Sequence, residues 1–203
     1  MGSYYYLMAQ LPFLIYEQRP PMSSAAFKAL AEALMTEEDS VLLEQIHIDP
    51  DPEGLGGVPS YAQAAPSTGC EFIDNWREWE RSLRLNLAKS RAVKLKRDNI
   101  STLEPPFMPT EAVAAAHKAL NSDISPLDGE LLIDKARWNA IDVLAGNDYF
   151  DRNNVFAYLL KLLLLERRLS FNVERGFTEY KALYASIIES SQNSGHNSLG
   201  ELK

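Results

Sequence analysis

Apolar residues recur along this chain at three- and four-residue spacings, the period of a helical face. No stretch keeps the strict alternation of a half-buried strand. After Ser23-Ser24, which reads as a cap, Phe27, Leu30 and Leu34 mark one side of a helix. Thr36 opens a second, with Glu37, Glu38 and Asp39 in the first turn, where the backbone dipole favours acids. Leu42, Leu43 and Ile46 give it an inward side, so residues 1–48 predict a helical hairpin.

The period stops from 49 to 69. Pro50, Pro52, Pro59 and Pro66, with Gly54, Gly56, Gly57 and Gly69, cannot belong to a continuous helix. Thr68-x-x-Glu71 then resembles a capping box. It predicts a long helix to about Arg97 whose stripe is Phe72, Trp76, Trp79, Leu83 and Leu87. A second break, 99–109, holds Pro105 and Pro106, so the helix reads as an arm between two Pro/Gly-rich loops.

Beyond it the apolar positions grow denser. Thr110 caps a short helix with Val113, Ala116 and Leu120 inward. Ser125-Pro126 is a cap followed by proline at the first helical position, where its missing N–H costs little. The next helix carries two stripes, one of Leu127, Leu131, Trp138, Ile141 and Ala145, the other of Leu132, Ala136, Ala140 and Val143. That predicts a sandwiched element, ended by Gly146. Residues 151–169 are apolar nearly all round and predict the central helix. A last helix, about 172–189, carries Val173, Phe177, Tyr180, Tyr184 and Ile187. The pattern predicts an all-α multi-helix bundle. It forms one domain over 1–190, made of the hairpin, a 49–109 loop–arm–loop insertion and a 110–190 core, with a polar tail at 191–203.

Composition and charge narrow the function. Hydrophobic residues make up 46% of the 203, enough to build a core, and the net charge of −8 argues against nucleic acid as partner. The start lacks a basic segment, Gly2 is followed by Tyr6 where myristoylation wants Ser or Thr, and the run 155–165 is too short to span a bilayer. The expectation is a cytoplasmic chain with no direct membrane span, peripheral to a membrane only through partners. One charge feature stands out. Arg81, Arg84, Lys89, Arg91, Lys94, Lys96 and Arg97 follow one another with no acid between them. They read either as a solvated helix end complementing the C-terminal dipole or as a docking surface for an acidic partner. The cations wrap around the helix and no aromatics interleave with them, which speaks against a membrane face or single-strand stacking.

Candidate chemistry is thin. The lone Cys70 excludes an internal disulfide and a multi-cysteine zinc site, and reads as an incidental thiol. Asp49-x-Asp51-x-Glu53-Gly54 imitates the first half of a calcium loop, but its twelfth position is Ser60 and two prolines stiffen it; a solvated acidic loop is the better reading. His47 ends a helix, His117 reads as a core or boundary residue and His196 lies in the tail. The glycines at 54–57 follow no strand and lead to no lysine-bearing helix, so no nucleotide fingerprint is supported, and no serine sits in a nucleophile elbow. The expectation is a non-catalytic protein without cofactor, metal or small-molecule substrate.

Two regions resemble a known family. Tyr4-Tyr5-Tyr6-Leu7-Met8-Ala9-Gln10-Leu11-Pro12 with the following hairpin is similar to the start of an uncharacterised bacterial family associated with V/A-type rotary ATPases. So is the stretch with Arg137-Trp138-Asn139-Ala140-Ile141, Val155-Phe156-Ala157-Tyr158-Leu159, Glu166-Arg167-Arg168 and Glu174-Arg175-Gly176. More distantly, it resembles the C-terminal repeat of the C subunit of V-type ATPases, known as the d subunit in eukaryotic enzymes. This chain is shorter and carries the 49–109 insertion where the middle repeat of that protein does not align. The resemblance implies an all-helical, d-subunit-like coupler in the central stalk of a proton- or sodium-transporting enzyme. Its partners would be the rotor ring and the central shaft, met through the cations from Arg81 to Arg97 and the aromatic stripe Phe177, Tyr180 and Tyr184. The alternatives are that those aromatics pack inward, or that the chain is a free-standing adaptor or assembly factor binding through the basic arm.

Overall fold

Local signals at the helix ends set most of the boundaries. In a computed structural model the described residues, 4–48, 66–96, 110–121, 123–171 and 177–188, form eight helices and no strand. They are α1 (Tyr5–Gln10), α2 (Ser24–Glu32), α3 (Glu37–Glu44), α4 (Glu71–Lys94), α5 (Thr110–Ala119), α6 (Pro126–Ala145), α7 (Arg152–Leu169) and α8 (177–188). The Ser23 hydroxyl accepts from the amide of Ala26, Thr36 from that of Asp39, and Ser125 from that of Asp128, so each caps its helix as the sequence predicts. Pro126 occupies the first turn of α6, and Gly146, at φ 75°, ends it in a region that side-chain-bearing residues avoid. The all-α fold class follows.

Two boundaries depart from expectation. No capping box forms at α4: its N-cap is Cys70, without a side-chain bond. Asp74 instead gathers the Ser67 hydroxyl and the amide and hydroxyl of Thr68. A carboxylate one turn into the helix reaches back further than Glu71 can. Those bonds hold the Asp74 carboxyl below its usual range although burial pushes the other way. At the N-terminus, a short helix α1 forms that the apolar spacing does not predict, burying Leu7 and Met8.

The chain divides into two units, residues 1–166 and 167–203. In the first, α4, α5 and α6 pack against one another and α2 packs on α3 as the predicted hairpin. Residues 152–166 supply the centre: Val155, Phe156, Leu159, Leu160, Leu162, Leu164 and Leu165 are all buried. Each such side chain contributes about 1.5–3 kcal/mol by leaving water. Phe156 faces Phe72 of α4 at 6.2 Å and Tyr158 faces Phe27 of α2 at 5.1 Å. The segment before α2 closes over α6, with Tyr16 edge-on to Trp138 at 5.3 Å.

The predicted arm is in large part core. Phe72, Trp76, Trp79, Leu83 and Leu87 are buried, and so are Ile73, Glu80, Ser82, Leu85 and Asn86. Only its last turns, from Lys89 on, are mainly exposed. In α5 the buried residues are Ala112, Ala115 and Ala116, while Val113 and Leu120 are half-buried and His117 is exposed. The expectation of a core or boundary His117 is corrected: alanines let α5 lie close to its neighbours and turn the histidine to solvent. On α6, Val143 is exposed and Leu132, Ala136 and Ala140 are half-buried, so the second stripe is at most half-covered; in the first stripe Leu127 is exposed.

Candidate functional site

Seven cations near the end of α4 form the main candidate surface of the sequence, and the fold sorts them. Arg81 turns to Glu78 at 3.2 Å. Arg84 turns inward to Glu80 at 2.8 Å and to the carbonyl of Ile48. The Lys94 ammonium bonds to the Leu120 carbonyl at the end of α5. Lys89, Arg91 and Lys96 are exposed, and Arg97 lies outside the described residues. Val93 and Leu95 stand exposed among them. The end of α4 is therefore a short basic and apolar tip, closed by Lys96 in the left-handed region at φ 51°.

Arg84 leads inward to a group that pattern reading missed. Glu80 of α4 and Arg137 of α6 are both buried and meet face to face. Arg137 Nη2 lies 2.7 Å from Glu80 Oε1, and its Nε lies 3.0 Å from Oε2. The third arm of the guanidinium, Nη1, donates to Asp134 Oδ1 at 2.9 Å. Burial alone would raise the Glu80 carboxyl, but the charges and hydrogen bonds of Arg137 and Arg84 hold it below its usual range. Arg137 is likewise pushed up, burial being outweighed by Glu80 and Asp134. The signal was partial: Asp134 falls inside the arc of Leu131, Trp138 and Ile141, whereas Glu80 lies about 40° beyond the arc of Phe72, Leu83 and Trp76. Two acids on or beside the apolar sides of two helices call for a buried cation between them, and Arg137 is that cation.

A second network ties the N-terminus down. The Tyr4 hydroxyl donates to Asp39, whose other oxygen takes Arg152 at 3.2 Å, and the Tyr4 amide bonds the Phe150 carbonyl at 2.6 Å. Burial, then the bond to Asp39, raises the Tyr4 hydroxyl above its usual range. Glu166 clamps the start of α2, accepting the amide and hydroxyl of Ser24 at 2.7 and 2.6 Å. These contacts position elements.

In the second unit, Phe177, Tyr180 and Tyr184 are exposed on α8. Tyr180 and Tyr184 stack at 6.2 Å, and the Lys181 ammonium lies over the Phe177 ring at 4.4 Å. Among the described residues there is no group of three or more potential metal ligands, and no helix is long and apolar enough to cross a membrane. The calcium-like loop from Asp49 to Ser60 lies outside the described residues, as do Val173 and His196. His47 is exposed, and its backbone carbonyl accepts from Trp76 Nε1 at 3.2 Å.

Residues 118–191 match a family described as "Protein of unknown function (DUF2764)". No curated protein and no solved structure matches the chain. The DUF2764 segment takes in α6, α7 and α8. Arg137, Asp134, Glu166 and the α8 aromatics thus fall inside it, while Glu80 and the basic tip of α4 lie outside.

Proposed function

We propose that this chain is a non-catalytic, d-subunit-like coupler of a V/A-type rotary ATPase, placed in the central stalk between the rotor ring and the shaft. The observation that carries the reading is the pairing of a pinned bundle with an exposed basic tip on the same long helix. A coupler must pass on torque without its helices sliding. Close-packed interiors resist deformation, and the three-armed grip of Arg137 on Glu80 and Asp134 fixes the register of α4 against α6. The resemblance of roughly the first 45 residues and of residues 123–180 to the ATPase-associated family supplies the assembly. Lys89, Arg91 and Lys96 meet an acidic neighbour, and Phe177, Tyr180 and Tyr184 supply an apolar contact to another ATPase component.

Purification of the tagged chain from native membranes tests this. The expected result is stoichiometric recovery of the ATPase subunits, with retention lowered by a Lys89→Glu, Arg91→Glu, Lys96→Glu variant. A chain recovered free of ATPase subunits would overturn the proposal. Recovery only with partly built complexes would assign it to assembly instead.

A further inference from the structure

Among the described residues of the second unit, α8 carries the longest exposed apolar surface. With about 100° between successive residues, Phe177, Tyr180, Leu183, Tyr184, Ile187 and Ile188 fall within one arc of about 140°. All six are exposed, between 38% and 63%. Phe177, Tyr180, Tyr184 and Ile187 stand at steps of three, four and three, the spacing of a two-stranded coiled-coil seam. A helix this short is marginal in water unless its apolar face is packed.

We propose that in the free chain α8 pairs with α8 of a second copy, antiparallel about a two-fold axis, through this seam. Three features select a second copy. The first is self-complementarity: reversed on itself, the seam sets Phe177 against the partner's Ile187 and Tyr180 against the partner's Tyr184, so each large ring meets a different residue and every contact occurs twice. The second is charge. The whole chain is at −8, which opposes self-association, but Glu179 and Lys181 cancel within α8 and the seam brings no net charge together. The third is area. At about 200 Å² for a large side chain, the six expose roughly 600 Å² per copy, so two copies that cover them fully bury about 1,200 Å² at most, the lower bound of specific interfaces. Tyrosine suits such a thin interface, since its ring is covered while the hydroxyl reaches water at the edge.

The pairing stands independently of the ATPase reading. One consequence rests on that reading: the second copy and the neighbouring ATPase component compete for the same face, so docking splits the pair. Sedimentation equilibrium of the full chain, over about two decades of concentration around the micromolar range, tests the pairing. The expected result is a monomer–dimer equilibrium that Tyr180→Glu with Tyr184→Glu abolishes. Ala182→Glu, on the far side of the helix, should leave it intact. A monomer throughout, or a dimer that survives the double glutamate variant, would overturn the proposal. Orientation is read by oxidising a mixture of Tyr180→Cys and Tyr184→Cys chains, Cys70 being buried. Antiparallel pairing yields the mixed disulfide, and cross-linking of Tyr180→Cys with itself would overturn the antiparallel arrangement. Co-purification, which tests the ATPase reading, is unaffected by either result.

Discussion

Arg137 holds two buried carboxylates at once, and the cost of losing it differs from the cost of losing its neighbour Arg84. Removing one partner of a buried ion pair leaves an uncompensated charge, a loss of about 3–5 kcal/mol. Arg137→Met should reach that range in urea unfolding. Arg84→Met should cost less, because its guanidinium is partly exposed and Arg137 still covers Glu80. Equal losses would show that the pair does not hold α4 to α6. The same residues predict an acid limb. The Glu80 carboxyl sits below its ordinary value of about 4.3 when folded, so the unfolded chain binds protons that the folded chain refuses. Its contribution is complete above that ordinary value and is lost as pH falls through the lowered one. Stability should therefore drop below about pH 4, and Glu80→Gln should give a shallower acid slope in denaturation at stepped pH.

At the scale of elements, α6 shows where propensity and packing disagree. Gly129 lies within the helix, where alanine ordinarily gains about 1 kcal/mol. A Cβ at Gly129 would sit 2.7 Å from the Ala119 carbonyl oxygen at the end of α5, and backbone there cannot step aside. Gly129→Ala should thus destabilise the chain by about 1–3 kcal/mol, as overpacking does; a rise in melting temperature would contradict the close approach of α5 to α6. The caps at Ser23, Thr36 and Ser125 are readable from sequence because capping is local, needing only a hydroxyl and an amide three residues on. The capping box expected at Thr68 and Glu71 does not form because Asp74 offers a better-placed carboxylate. His117 departs from its expected place because in α5 the alanines, not the larger residues, face inward.

For the whole molecule, the proposed basic contact makes a salt prediction. Exposed cations are screened over about 10 Å at 0.1 M salt, so retention on ATPase subunits should weaken steeply as salt rises. The Lys89→Glu, Arg91→Glu, Lys96→Glu variant should bind weakly with little further salt response. Retention indifferent to salt in the wild-type chain would remove the tip of α4 as the contact.

The order of residues was enough to establish that this chain is helical, where most of its helices begin and end, and that residues 155–165 form its centre. Those features rest on period and on neighbours a turn apart, which are local. Packing settled which cations stay in solvent: Arg84 turns to Glu80 and to Ile48, and Lys94 is taken up by the Leu120 carbonyl. It also settled that Glu80, fifty-seven residues from Arg137, would meet it, and that Gly129 must stay a glycine. Apart from the pair of Arg84 with Glu80, four residues apart on one helix, each depends on groups from separate elements, whose burial changes what a charge or a methyl costs. Spacing along the sequence does not carry that information.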